Sequence, residues 1–165
     1  MTTWRGKTED SIFAVELEAS VLGTLDRYCC DAGSFETGGI LLGRYSEDRS
    51  VAIVSEATPP PMDSRRGHAW FVRGVHGLRD VLSQRWQARE RTYYVGEWHF
   101  HPATHVEPSG EDFAQMLEIG RAKEYECREP LLLIFCARKH DGQRIFRAFV
   151  CPDGELPLEV ISTCR

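Results

Sequence analysis

Two histidines and an acid carry the chemistry in this chain. His99-Phe100-His101-Pro102 is followed by Ser109-Gly110-Glu111-Asp112, a pattern of H-x-H-P-x₆-S-x-x-D. Two imidazoles and one carboxylate make a full protein ligand set for a catalytic zinc, with the fourth position left to water. Each of these residues, alone, has a plain structural reading. Ser-x-x-Asp is a common helix-capping pattern, and a lone H-x-H on a strand needs no ligand. The combination points to metal, because each piece sits where a metal would need it.

The elements that position them can be read from residue type. Tyr93 to His101 is rich in aromatic residues and stops at Pro102, which predicts a strand. Side chains alternate along a strand, so His99 and His101 share one face, roughly 6–7 Å apart. Trp98 and Phe100 then face the core. Ser109 is placed as the N-cap of a helix whose first turn carries Glu111 and Asp112, where the helix dipole favours an ionised carboxylate. Phe113, Met116 and Leu117 continue with helical spacing. Ser109 either only caps this helix or also reaches the reacting oxygen; the residues alone leave both open.

A zinc hydrolase also needs a base. Glu36 lies at the mouth of Gly38-Gly39-Ile40-Leu41-Leu42-Gly43, which reads as a buried strand with close backbone approaches. On that segment alone, Glu36 reads as a solvated loop residue as readily as a base at a site edge.

Glu36, the Gly38–Gly43 strand and Gly96-Glu97-Trp98-His99-Phe100-His101-Pro102 through Asp112 resemble the JAB1/MPN/Mov34 (JAMM) zinc metallopeptidases. Nearly the whole chain takes part, about residues 10 to 150, and no departure from the metal motif is visible. The resemblance implies one Zn²⁺ per chain on His99, His101 and Asp112, Glu36 as the catalytic base, and Ser109 as a catalytic residue stabilising the tetrahedral intermediate. It implies an α/β domain of the MPN (cytidine-deaminase-like) fold, a mixed curved β-sheet flanked by about three helices.

The implied reaction is hydrolysis after the C-terminal tail of a ubiquitin-like protein, for deconjugation or precursor processing. The compact length and Trp98 resemble prokaryotic stand-alone members found with E1- and E2-like enzymes, some of them in antiphage systems. The implied partners are a ubiquitin-like protein or its conjugate and such E1/E2-like enzymes. Two other functions share these residues. One is trimming of an adduct from a sulfur-carrier C-terminus; the other is a zinc-stabilised module that binds a ubiquitin-like protein without cutting it. A zinc deaminase is disfavoured because H-x-E with P-C-x-x-C is missing. Helical H-E-x-x-H is absent too.

The remaining residues set bounds. The chain has 165 residues, 42% hydrophobic, with a net charge of −5. One domain is expected, at 10–155, with 1–9 and 156–165 as terminal extensions of it. There is no basic footprint for nucleic acid and no apolar run long enough to span a membrane. Met1–Lys7 lacks the apolar core of a signal peptide, which predicts a cytoplasmic protein. The six cysteines show no C-x-x-C spacing and read as reduced thiols.

The predicted order is a strand at 12–15, a helix at 18–31, strands at 39–45 and 51–56, and a Pro-rich loop at 57–67. A strand at 70–73, a helix at 75–88, the metal strand, and a helix from 111 to about 123 follow. A hairpin of 131–138 and 144–151 completes it. An extended tail binds well by adding to a sheet edge, so Trp70, Phe71, Val72 and Arg73 are candidate substrate-binding residues and the Pro-rich loop a candidate cover. An ordinary surface loop explains that segment equally well. His105, in the metal loop, reads as solvent-facing or as touching substrate.

Overall fold

Continuous apolar runs, rather than strict alternation, mark the middle strands of this chain. Ile40-Leu41-Leu42 and Leu131 to Cys136 are buried without a break, as expected of strands covered on both faces. The computed structural model, which describes residues 3–103, 106–139, 141–142, 144–152 and 156–163, shows what covers them. Its elements run β1 (Trp4–Thr8), β2 (Ala14–Leu17), α1 (Ala19–Ala32), β3 (Thr37–Tyr45), β4 (Val51–Ala57), β5 (Arg65–Arg66), β6 (Phe71–Val72) and α2 (Leu78–Gln87). Then come β7 (Tyr93–His101), α3 (Gly110–Arg121), β8 (Leu131–Arg138), β9 (Arg144–Val150) and β10 (Leu158–Ser162).

Helix α1 buries Val21, Leu25, Cys29 and Ala32, one stripe at helical spacing. It ends at Gly33, whose φ of 62° suits a residue without a Cβ. Its stripe joins one core with Leu41, Val54, Val95, Trp98, Phe100, Leu131 and Leu133. The opposite faces of β3, β7 and β8 contribute Ile40, Leu42, Tyr94, Leu132 and Ile134 to a second core, with Met116 and Ile119 of α3. Leu78, Val81 and Leu82 of α2 are only partly buried against it.

The expected mixed α/β architecture with three helices is present. Its sheet closes into a barrel in the order β1-β10-β9-β8-β7-β3-β4-β2. The pairs β2/β4 and β7/β8 are parallel and the rest antiparallel. Closure comes from the segments expected as extensions. Gly6, Lys7 and Thr8 of β1 lie opposite Ser162, Ile161 and Val160 of β10. β1 lacks the apolar content that would mark it in sequence, whereas β10 carries Leu158, Val160 and Ile161. The hairpin β5/β6 stands apart as a two-stranded sheet, with β5 in the tail of the segment read as irregular.

β7 is the seam between the two cores. Trp98 is fully buried, its ring stacked 5.7 Å from Tyr28 of α1, and its Nε1 donates to the Thr58 carbonyl at 2.9 Å. No helix among the described residues is long and apolar enough to cross a membrane. The described cysteines are free thiols, of which Cys30 is exposed and Cys29, Cys127, Cys136 and Cys151 are buried. Trp98→Ala should cost about 3–5 kcal/mol of unfolding free energy, read from the urea midpoint at unchanged m-value.

Candidate metal centre and cleft

The pairing of β3 with β7 sets the site. Gly38 lies opposite His99 and Thr37 opposite Phe100. A Cβ at Gly38 would come within 2.5 Å of the Trp98 carbonyl oxygen and 2.8 Å of both the His99 ring and the Phe71 ring. The bare glycine is what lets these rings meet over the strand. Phe71 packs edge-on to His99, with centroids 5.8 Å apart.

His99 and Asp112 are buried and His101 half-buried. One ligand atom from each of the three lies within 4.8 Å of the others. Asp112 Oδ1 is 2.7 Å from His99 Nδ1, and Asp112 Oδ2 is 3.5 Å from His101 Nε2. Among the described residues, His99 Nε2 and Thr37 Oγ1 are the buried side-chain polar atoms without a hydrogen-bond partner, and both sit at the β3/β7 seam. A buried imidazole nitrogen without a partner is costly in a finished protein core. Together with a nitrogen–nitrogen–oxygen donor set at this spacing, it fits a divalent transition metal.

Ser109 is the N-cap of α3, as its sequence position predicts. Its Oγ accepts from the Asp112 amide at 3.1 Å, and its own amide donates to Asp112 Oδ2 at 2.6 Å, completing a capping box. The hydroxyl also lies 2.8 Å from Asp112 Oδ2. Burial pushes Asp112 up, but the His99 hydrogen bond and charge, with the Ser109 amide and hydroxyl, outweigh it and hold the carboxyl at about 2. The acid is thus kept ionised and aimed.

Glu36 shares a cleft of about 510 Å³ with His101 and Asp112, lined also by Trp70, Phe71, Ser109, Glu111 and Gln115 among others. Burial, and then the negative charge of Asp112, raise the Glu36 carboxyl above its ordinary value, against a lowering pull from His99. A half-buried carboxyl with a raised proton affinity, facing the ligand set, suits general base and acid work.

The structure divides the four substrate-binding candidates. Trp70 and Phe71 line the cleft, and Val72 is exposed. Arg73 lies elsewhere: its side chain is 4% exposed, and its Nε donates to Glu97 Oε2 at 2.7 Å. Sequence reasoning missed Glu97, which is fully buried. A carboxylate within an aromatic, buried strand, two residues before a ligand and on its face, was the available signal. His105 lies outside the described residues.

The chain matches the model for prokaryotic homologs of the JAB domain over residues 18–150. It belongs to that family. This JAB domain is 42% identical over 153 residues to a protein of Enterobacter hormaechei subsp. hoffmannii (strain UCI 50) named as a CD-NTase/cGAS isopeptidase, covering 93% of this chain and 83% of the relative. A Pseudomonas aeruginosa (strain BWHPSA011 / Pa011) protein of the same name is 29% identical over 136 residues, covering 81% and 83%. The solution structure of protein DSY2949 from Desulfitobacterium hafniense shares the fold, with a TM-score of 0.59 at 20% identity over 88% of this chain and 87% of that one.

Because Ser109 both caps α3 and holds Asp112, Ser109→Ala should cost about 1 kcal/mol of stability. It should also weaken metal binding about 10–100-fold. Thermal unfolding and a competitive chelator titration read the two effects separately.

Proposed function

We propose that this chain is a zinc-dependent isopeptidase that cleaves a conjugate of a CD-NTase. In this reading, the CD-NTase's carboxyl end, or that of a ubiquitin-like protein acting with it, is joined to a lysine amine. The observation that carries the reading is that Glu36 and Ser109 share one cleft with His101 and Asp112, which group with the buried His99. The names of the two relatives support the choice of bond and of substrate.

Zinc held by His99, His101 and Asp112 would supply a Lewis acid for the scissile carbonyl and a water acidic enough to attack at neutral pH. The chain's own residues do the rest. Glu36 takes the proton of the attacking water and returns it to the departing ε-amine. The Ser109 hydroxyl, which donates to Asp112 Oδ2 in the resting site, turns its one proton from there to the developing oxyanion.

The closed barrel has no strand edge to offer, so among the described sheets only β5/β6 has open edges. An extended tail bound there would be held by main-chain hydrogen bonds, with Trp70 and Phe71 beside it in the cleft. The setting consistent with this chemistry is a bacterial antiphage system in the cytoplasm, with E1/E2-like enzymes forming the bond that this chain cuts.

The test uses two reporters, each released from a lysine amine, one attached through a CD-NTase tail and one through a ubiquitin-like tail. Zinc-loaded wild type should cleave the first, and Glu36→Gln should lose about 10²–10⁴-fold in kcat while keeping its metal. Cleavage of the ubiquitin-like reporter alone would reassign the substrate. Cleavage of neither, with metal bound, would sink the isopeptidase reading.

A further inference from the structure

The hairpin beside the cleft is held at three places. At its turn, Gly67 N donates to the Trp70 carbonyl, and the Gly67 carbonyl accepts from the Glu36 amide, both at 2.9 Å. His68 stacks on Phe35 with centroids 4.5 Å apart, and its Nδ1 lies 2.9 Å from the Ser34 carbonyl. The turn is thereby joined to the loop that carries Glu36. At its base, Asp63 accepts from the Val75 and His76 amides, and Ser64 Oγ accepts from the Gly74 amide.

The third attachment is buried. Arg73 donates through Nε to Glu97 Oε2 at 2.7 Å, through Nη1 to the Gly74 carbonyl and through Nη2 to the Tyr125 hydroxyl, both at 2.9 Å. Glu97 Oε1 accepts from the Tyr94 hydroxyl at 3.0 Å. The guanidinium is the rigid fork that such a multi-pronged site needs. Two contacts then run side by side. Phe71 meets His99 and Arg73 meets Glu97, so a step of two along the hairpin segment matches a step of two along β7 in the opposite direction.

We propose that Arg73 is a positioning residue for the isopeptidase reaction. Its ion pair with Glu97 fixes the register of the 63–76 segment over β7, and so seats Phe71 on His99 and the Gly67 carbonyl on the Glu36 amide. The proposal rests on the functional reading above only for its kinetic consequence. A buried ion pair is poor evidence for stability, since a well-packed apolar pair often serves as well or better. What the pair provides is a single permitted placement. An apolar pair would tolerate a slide of the hairpin; a forked donor on a fixed carboxylate does not.

The experiment compares zinc-loaded wild type with Arg73→Met/Glu97→Gln, which leaves no buried charge unpaired, and with Arg73→Lys. Amide hydrogen exchange is followed at Glu36 and Gly67, and at α1 and β8 as references. In the double variant, Glu36 and Gly67 should lose protection by about tenfold or more while α1 and β8 keep theirs. At unchanged metal content, kcat/KM should fall about 10²-fold, the usual cost of a misplacement of about 1 Å. Arg73→Lys, with the charge but not the fork, should fall between.

Unchanged exchange at Glu36 and Gly67 would overturn the proposal. So would loss of protection there in step with α1 and β8, which would make the pair merely structural. If the double variant does not fold, Arg73→Lys carries the same comparison. The exchange readout needs no substrate, so it decides the register question even if wild type cleaves neither reporter.

Discussion

The alternation of side chains along β7 is the constraint on which the rest depends. One face of this strand carries Trp98 and Phe100 into the core under α1; the other carries Glu97, His99 and His101. A strand can present an apolar and a polar face at once, but here both faces are buried. The polar face must therefore be satisfied from within the protein. Arg73 and Tyr94 satisfy Glu97, and Asp112 satisfies one nitrogen of His99. The partnerless second nitrogen of His99 is the place where protein groups run out. With Thr37 Oγ1 beside it also partnerless, the candidate metal site is where this hydrogen-bond network is left unfinished.

The capping box at α3 shows how ordinary local structure is turned to this purpose. An acid at the third position of a helix usually closes its own N-terminus. Here Asp112 does that with Oδ2 and reaches His99 with Oδ1. The same local geometry that starts the helix therefore sets the ligand angle, without a separate support. Because the helix lands on the second core through Met116 and Ile119, packing far from the candidate metal site holds the carboxylate in place.

Much of this could be read before the fold was seen. The H-x-H spacing, the Ser109 cap and the turn of Trp98 and Phe100 into the core are local consequences of strand and helix periods, and they stand in the structure. Strand β1 could not be read, because Trp4–Thr8 carries little apolar patterning; Leu158, Val160 and Ile161 of β10 did carry a short strand signal, and what the chain could not show locally is that the two strands pair. The buried seat of the Arg73 side chain was not legible either, because the carboxylate that draws it inward is 24 residues further on. Glu36 stood between two readings until the fold brought it to the cleft, since nothing within its own segment points there.

The closure of the barrel has a consequence for how the chain reaches this state. β1 pairs with β2 and β10 with β9, so the last ladder joins residues separated by almost the whole chain, at an entropy cost set by that separation. Around a closed sheet the registers are not independent, because strand number, tilt and stagger must agree. A slip of one residue in any pair would displace β1 against β10 and turn side chains to the wrong face. The meeting of Gly6 with Ser162 therefore acts as a register check on the finished barrel. It is compatible with closure only when every ladder between them, including the one that sets Gly38 beside His99, is in register.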